Sequence, residues 1–176
     1  MTTLETTVDP ATRQRIADFH LFETALLDDR RLNDWIELLT EDFSYEIPTP
    51  YTPDNPNLPP WSDGTYIIHE NKPSLKVLWA DRFSPHNFEF AWGENPVQRV
   101  RRFVTNIQVH AGEKSGEYVV RSNIMLSFAR QSDPVALVPA GRVDLVREVD
   151  GELKLAQRIV HLDQTLMTIT HMRLIF

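Results

Sequence analysis

Few side chains in this sequence are spaced for chemistry. His161 and Asp163 are two apart in a stretch that alternates like a strand, so both project from one face. A carboxylate beside an imidazole can orient a general base or complete a metal site, and it can equally be a structural hydrogen bond. Glu23 lies four residues after Phe19 and four before Leu27, on the helix face that should be buried. A buried carboxylate needs either a counter-charge or a reaction to perform. Glu23 therefore reads as the acid or base of a dehydratase, isomerase or cyclase, or as the partner of an arginine from a sheet. His86 sits in DRFSPHNFEFAW among Phe83, Phe88, Phe90 and Trp92, an aromatic surround that suits a ligand pocket, a core lid or a subunit contact. Arg99, Arg101 and Arg102 fall together in VQRVRRFVTNIQVH, as a phosphate patch, an anion site or a set of buried ion pairs would require.

Composition narrows these choices. Acids outnumber bases 25 to 18, giving a formal charge of −7, the wrong sign for a sequence-tolerant nucleic-acid binder. The chain contains no cysteine, which removes thiolate metal sites, iron–sulfur ligation and cysteine nucleophiles and fits a cytoplasmic setting. No apolar run is long enough for a membrane span, and MTTLETTVDP has no signal-peptide pattern, so residues 1–10 read as an arm. GxSxG, GxGxxG and phosphate-loop motifs are missing. No HxxxH pair occurs and no three metal ligands converge in the sequence, so neither a metal nor a cofactor is expected in this chain.

The elements that must position these residues follow from periodicity. Asp9 and Pro10 suit a helix start, and a helix is predicted over 11–28 with Ile16, Phe19, Glu23 and Leu27 on one face. A second helix is predicted over 31–39 and a third over 73–83, capped near Asn71 or Ser74. FSYEIP (43–48) alternates as a strand, and 48–60 holds six prolines, so 48–65 is expected to be a proline-rich loop. Period-two strands are predicted near 98–110, 117–130, 135–149 and 153–168, the last two joined by the Asp-Gly turn of EVDGE. Helices followed by long curved strands give an α+β cone in which a mixed or antiparallel sheet wraps around the N-terminal helices, one domain over 1–176. The open end of such a cone can hold an acid–base pocket.

Longer motifs add a resemblance. AWGENPVQRVRRFVTN (91–106) resembles the A-W-x-E-[DN]-P-x-x-R-x-R-[HR]-x-[VI]-[ST]-N signature of the small β subunits of bacterial aromatic-ring-hydroxylating (Rieske non-haem iron) dioxygenases. FETALLDDRRLNDWIELLTEDFSYEIP (22–48), VRSNIML (120–126) and DGELKLAQRIVHLDQ (150–164) are similar to other family segments, in the family's order. Departures are local: Leu153 stands where the family usually has tryptophan, and the 48–60 loop has no clear counterpart.

The resemblance implies an NTF2-like, SnoaL-like cystatin-type cone. It also implies a large α subunit as partner, usually in an α3β3 heterohexamer with the β chains as a trimer. The Rieske [2Fe–2S] cluster and the mononuclear Fe(II) belong to that α subunit, which dihydroxylates an aromatic compound with O2 and electrons from NAD(P)H. On this reading the chain has no catalytic residue. Glu23, Trp92, Glu94, Arg99, Arg101, Arg102, Asn106 and Asp163 serve structure and assembly. Period two places Arg99 and Arg101 on one strand face, there to meet a helix acid with Glu23 first, and turns Arg102 outward. The alternative is a stand-alone cone enzyme using Glu23, His86, His161 and Asp163.

Overall fold

The computed structural model describes residues 8–84, 86–91, 97–166, 169 and 174–176; Trp92, Glu94 and most of the expected arm lie outside them. Helix α1 runs Pro10–Asp28, and the Asp9 side chain accepts from the Ala11 and Thr12 amides at 3.0 Å. The remainder of the arm thus begins the helix. Arg30 ends α1 in the left-handed region (φ 60°), with the Arg31 amide donating to Leu26 and that of Arg30 to Leu27, a Schellman closure. A short α2, Leu32–Ile36, buries Leu32, Trp35 and Ile36. The third helical stretch starts as α3, Lys72–Ser74, with Asn71 in a capping box with Ser74. It continues as a π turn, Leu75–Trp79, and a 3-10 turn, Ala80–Phe83.

Six strands form one mixed sheet in the order β2-β1-β6-β5-β4-β3: β1 Leu39–Pro50, β2 Trp61–Asn71, β3 Gln98–Ala111, β4 Glu117–Arg130, β5 Ala136–Val149 and β6 Glu152–Leu162. Neighbours are antiparallel apart from β1 and β6, which run parallel. Asp150 and Gly151, both at positive φ, close the β5–β6 hairpin as an Asp-Gly turn should.

Two expectations need correction. The proline-rich loop is confined to residues 51–60. Pro48 and Pro50 belong to β1 at register shifts, where a missing amide costs no ladder bond. Residues 61–65 open β2, an edge strand that lacks the apolar alternation a strand forecast relies on. The last strand also stops at Leu162 rather than 168.

Two bulges set which side chains face α1. In β3, Thr105 pairs with Asn123 but Gln108 with Arg121, so β3 carries one extra residue; Asn106 absorbs it at φ 54°. Asparagine tolerates that region better than most residues. In β6, Leu145 of β5 pairs with Gln157 but Val146 with Leu155, leaving Ala156 as the extra residue. Leu155 and Ala156 are both buried, and the alternation resumes one step out of phase, with Arg158, Val160 and Leu162 inward. Deleting Ala156 would turn Arg158 outward and leave buried carboxylates without their counter-charge. The expected outcome is a Tm at least about 10 °C below the parent in a thermal melt, as follows from several kcal/mol in a chain of this size. A deletion variant melting with the parent would contradict this role for the bulge.

Candidate functional site

Inside the cone the sheet presents charge. The register aligns Asp144 of β5 with Arg158 of β6 and Tyr45 of β1, with Arg142 two residues before Asp144 on the same face. Helix α1 covers this row with His20 and Glu23, one turn apart. His20, Glu23, Arg142, Asp144 and Arg158 are all buried, as is Tyr45.

Arg158 is the centre of the cluster. Its Nε donates to Asp144 Oδ1 (2.8 Å) and its Nη2 to Asp144 Oδ2 (3.1 Å). Nη2 also donates to Glu23 Oε1, and Nη1 donates to Glu23 Oε2 (3.2 Å) and to the Phe176 main-chain oxygen (2.7 Å). All the N–H donors of a guanidinium are thereby used. Trp35 Nε1 adds a bond to Glu23 Oε2 at 2.7 Å. Arg142 is held less completely. Nε lies 3.0 Å from Asp144 Oδ2 and donates to Ser122 Oγ (3.2 Å). Nη1 is 3.3 Å from Glu23 Oε1, close enough for charge pairing but outside hydrogen-bond geometry. The Arg142 Nη2 to His20 Nδ1 contact is 3.1 Å, shorter than the 3.3 Å from Nδ1 to Glu23. The tautomer that satisfies the guanidinium has Nδ1 accepting and the ring proton on Nε2.

Burial alone would push Glu23 upward, but Arg158 and then Arg142 overcome it and hold the carboxyl well below its ordinary value of 4.5. Burial also works against the charge of Arg158, yet Asp144 and Glu23 outweigh it and raise the group. Arg142 goes the other way, lowered by burial and by repulsion from Arg158. Tyr45 is pushed up to about 12 by burial. Two carboxylates thus face two guanidiniums, and the formal charges of the four groups balance.

The same groups fix the segment Leu174–Phe176, buried in the cone. Tyr45 OH donates to Leu174 O (3.3 Å) and accepts from the Phe176 amide (3.1 Å). Arg102 Nε donates to Ile175 O at 2.8 Å. The interior is closed by this segment with Trp35, Phe43 and Ile47 around it.

Glu23 does pair with arginines of the sheet, but from β5 and β6 rather than the arginine-rich β3. Arg102, expected outward, is buried: its Nη1 donates to Asp28 Oδ1 at 2.8 Å, and its side chain is 5% exposed. Its neighbours Val100 and Val104 pack on the core, and alternation carries Arg102 inward with them. Arg101 meets a helix acid, Asp28, at 3.6 Å, with its side chain 67% exposed, and Arg99 is exposed.

The acid–base candidates do not assemble. His86 is in an exposed turn, and His161 stacks on Trp61 at 3.9 Å between ring centroids. Burial, then the nearby Arg121, lowers His161. Asp163 is exposed, and both line a second cavity of ≈ 260 Å³ away from Glu23. Among the described residues no hydrogen bond or ion pair joins any two of the four candidates. His20, Arg142, Asp144 and Arg158 escaped the sequence reading. His20 was signalled by its one-turn spacing from Glu23, and Arg142 and Asp144 by their alternation with Val138, Ala140 and Val146.

His20, Glu23 and Asp144 do bring three ligand atoms within 4.8 Å, a convergence the sequence did not show. The donor set fits a metal poorly, because the carboxylate oxygens already accept from guanidiniums whose charge would repel a cation. A Rieske cluster does not fit either, since it needs two cysteines and the chain contains none.

The architecture is the cone-shaped α+β fold, shared with a protein of cystatin-like fold from Nostoc punctiforme at a TM-score of 0.60 and 14% identity, covering 93% of this chain and 100% of that one. The chain belongs to the ring hydroxylating beta subunit family, whose model matches residues 22–169. It is 29% identical over 160 residues to the biphenyl 2,3-dioxygenase subunit beta of Rhodococcus jostii, covering 90% of this chain and 85% of that one. To the 3-phenylpropionate/cinnamic acid dioxygenase subunit beta of Photorhabdus laumondii it is 30% identical over 180 residues, covering 98% and 96%. A naphthalene 1,2-dioxygenase structure with indole in its active site superposes at a TM-score of 0.82 with 23% identity, covering 97% of this chain and 88% of that one.

Replacing Arg158 by Met should cost about 3–5 kcal/mol in denaturant unfolding, because two buried carboxylates lose their shared partner. Glu23 is depressed in the fold, so its contribution is complete above its ordinary value of 4.5 and is lost as pH falls below that value. Glu23→Gln should therefore be less stable than the parent at neutral pH and show a shallower loss of stability in acid. Equal acid slopes for the two proteins would contradict the ion-paired state.

Proposed function

We propose that this chain is the non-catalytic β subunit of an aromatic-ring-hydroxylating terminal oxygenase. In this reading residues 1–176 act as one cone domain that supports a large α subunit in a cytoplasmic α3β3 assembly. The α subunit holds the Rieske [2Fe–2S] cluster and the mononuclear Fe(II) and dihydroxylates an aromatic compound with O2 and electrons from NAD(P)H. The names of the Rhodococcus and Photorhabdus relatives, both subunits of dioxygenases of aromatic compounds, support the substrate class.

The observation that supports the reading is the ion-paired cluster around Arg158 inside the cone. Where a cone enzyme needs free polar groups in space a substrate can enter, the carboxylates of Glu23 and Asp144 are ion-paired to Arg158, which also holds the Leu174–Phe176 segment. Glu23 and Arg102 act as joints between α1 and the sheet, and Asn106 shapes β3. Trp92, Glu94, Arg99, Arg101 and Asp163 belong to assembly on this reading.

Co-expression with the ring-hydroxylating α subunit of the same genome tests it. The two chains should co-purify with the mass of an α3β3 complex, and the arene-dependent O2 uptake should require both. An α subunit that is fully assembled and active alone, and never co-purifies with this chain, would overturn the proposal.

A further inference from the structure

A cavity of ≈ 540 Å³ opens between the end of α1, the side chains of Trp79 and Phe83, and the start of β3. The ion cluster described above does not line it. Its charged lining is Arg30, Arg99, Arg101 and Arg102 against Asp28 and Asp29, a local excess of positive charge in a chain whose formal charge is −7. Those charges are unequally engaged. Arg102 is committed to Asp28 and Ile175, and Arg30 donates to the Gln98 main-chain oxygen. Arg101 reaches Asp28 only at 3.6 Å, and among the described residues no ion-pair partner faces Arg99.

Apolar surface accompanies these two arginines. Trp79, Phe83, Leu27 and Leu32 line the cavity. The helical stretch that carries Trp79 exposes Val77 (63%) and Leu78 (50%), and Val97, just before β3, is 46% exposed. A cavity with tryptophan in its wall and available guanidiniums at its edge has the composition of an interface anchor point. Since the chain is acidic elsewhere, an acidic partner is repelled by most of its surface and drawn to this face, which sets orientation as well as affinity.

We propose that this cavity is the seat for a protrusion of the α subunit that carries a carboxylate flanked by apolar side chains. The carboxylate meets Arg99 and Arg101, and the apolar flank covers Leu78 and enters the space beside Trp79 and Phe83. The inference rests on the β-subunit reading above and assigns it a docking site.

The test is the association of purified α with the full chain, followed by surface plasmon resonance at low and high ionic strength. Arg99→Glu/Arg101→Glu should weaken association about tenfold or more, mainly through the on-rate, and should abolish most of its salt dependence. Leu78→Glu should weaken it as well, whereas Arg13→Glu/Arg121→Glu, which reverses two exposed charges elsewhere, should leave it unchanged. Thermal melts establish that each variant is folded. A folded Arg99→Glu/Arg101→Glu chain that binds α like the parent would overturn the docking site while leaving the β-subunit reading intact. Failure of the parent chain itself to bind α would overturn both. Benzoate serves as a small-acid probe. Benzoate binding that is lost in Arg99→Glu/Arg101→Glu while α association is unchanged would make the cavity a small-molecule site and overturn the proposal.

Discussion

Burying two carboxylates and two guanidiniums under one helix costs several kcal/mol per ion unless each finds complete compensation. That demand organises the molecule. Arg158 uses every N–H it has, on Glu23, Asp144 and the Phe176 main chain, so α1, β5, β6 and the 174–176 segment meet at one side chain. A leucine core would hold these elements together without specifying how the helix rotates over the sheet. A guanidinium shared among fixed acceptors specifies it, because displacing α1 strands a charge. Arg102 repeats the device farther along, joining Asp28 of α1 to Ile175.

The arrangement also bears on what the buried groups of this cone are suited to do. Catalytic cones need polar groups whose protonation changes near working pH, set in space that a substrate can enter. Here Glu23 is held well below its ordinary range and Tyr45 well above neutrality, both inside a buried network. Groups that cannot exchange protons near neutral pH are suited to fixing geometry. Chemistry is then delegated on the proposed reading, and the subunit's value lies in presenting a rigid surface.

Much of this was legible in the residues. Asp9 and Pro10 announced the start of α1, Asp-Gly announced the β5–β6 hairpin, and Glu23 stood out as a charge on an apolar stripe that needed a counter-charge or a reaction. Which arginine was hidden, because the extra residue at Ala156 reverses the phase of β6 and no composition marks it. Arg102 is a different case: Val100 and Val104 carried the signal, and the clustering of three arginines drew attention from the alternation around them. Edge strand β2 was illegible for a third reason. Its residues 62–65 are polar, its Tyr66, Ile67 and Ile68 run together rather than alternate, and Gly64 interrupts it at φ 88°. Pairing with β1 makes it a strand.

The parallel pairing of β1 with β6 has a temporal side. β1 can form its antiparallel ladder with β2 soon after both are synthesised, but its other edge meets β6, and Leu39 pairs with Leu155 near the far end of the sequence. Loop closure on that scale is slow compared with hairpin formation. On the ribosome that edge of β1 must therefore wait until β6 emerges with Arg158. Until then Glu23 lacks Arg158, its most fully engaged counter-charge. The sheet can close only after β6 is made, and the interval before that is when aggregation or chaperone capture competes with folding.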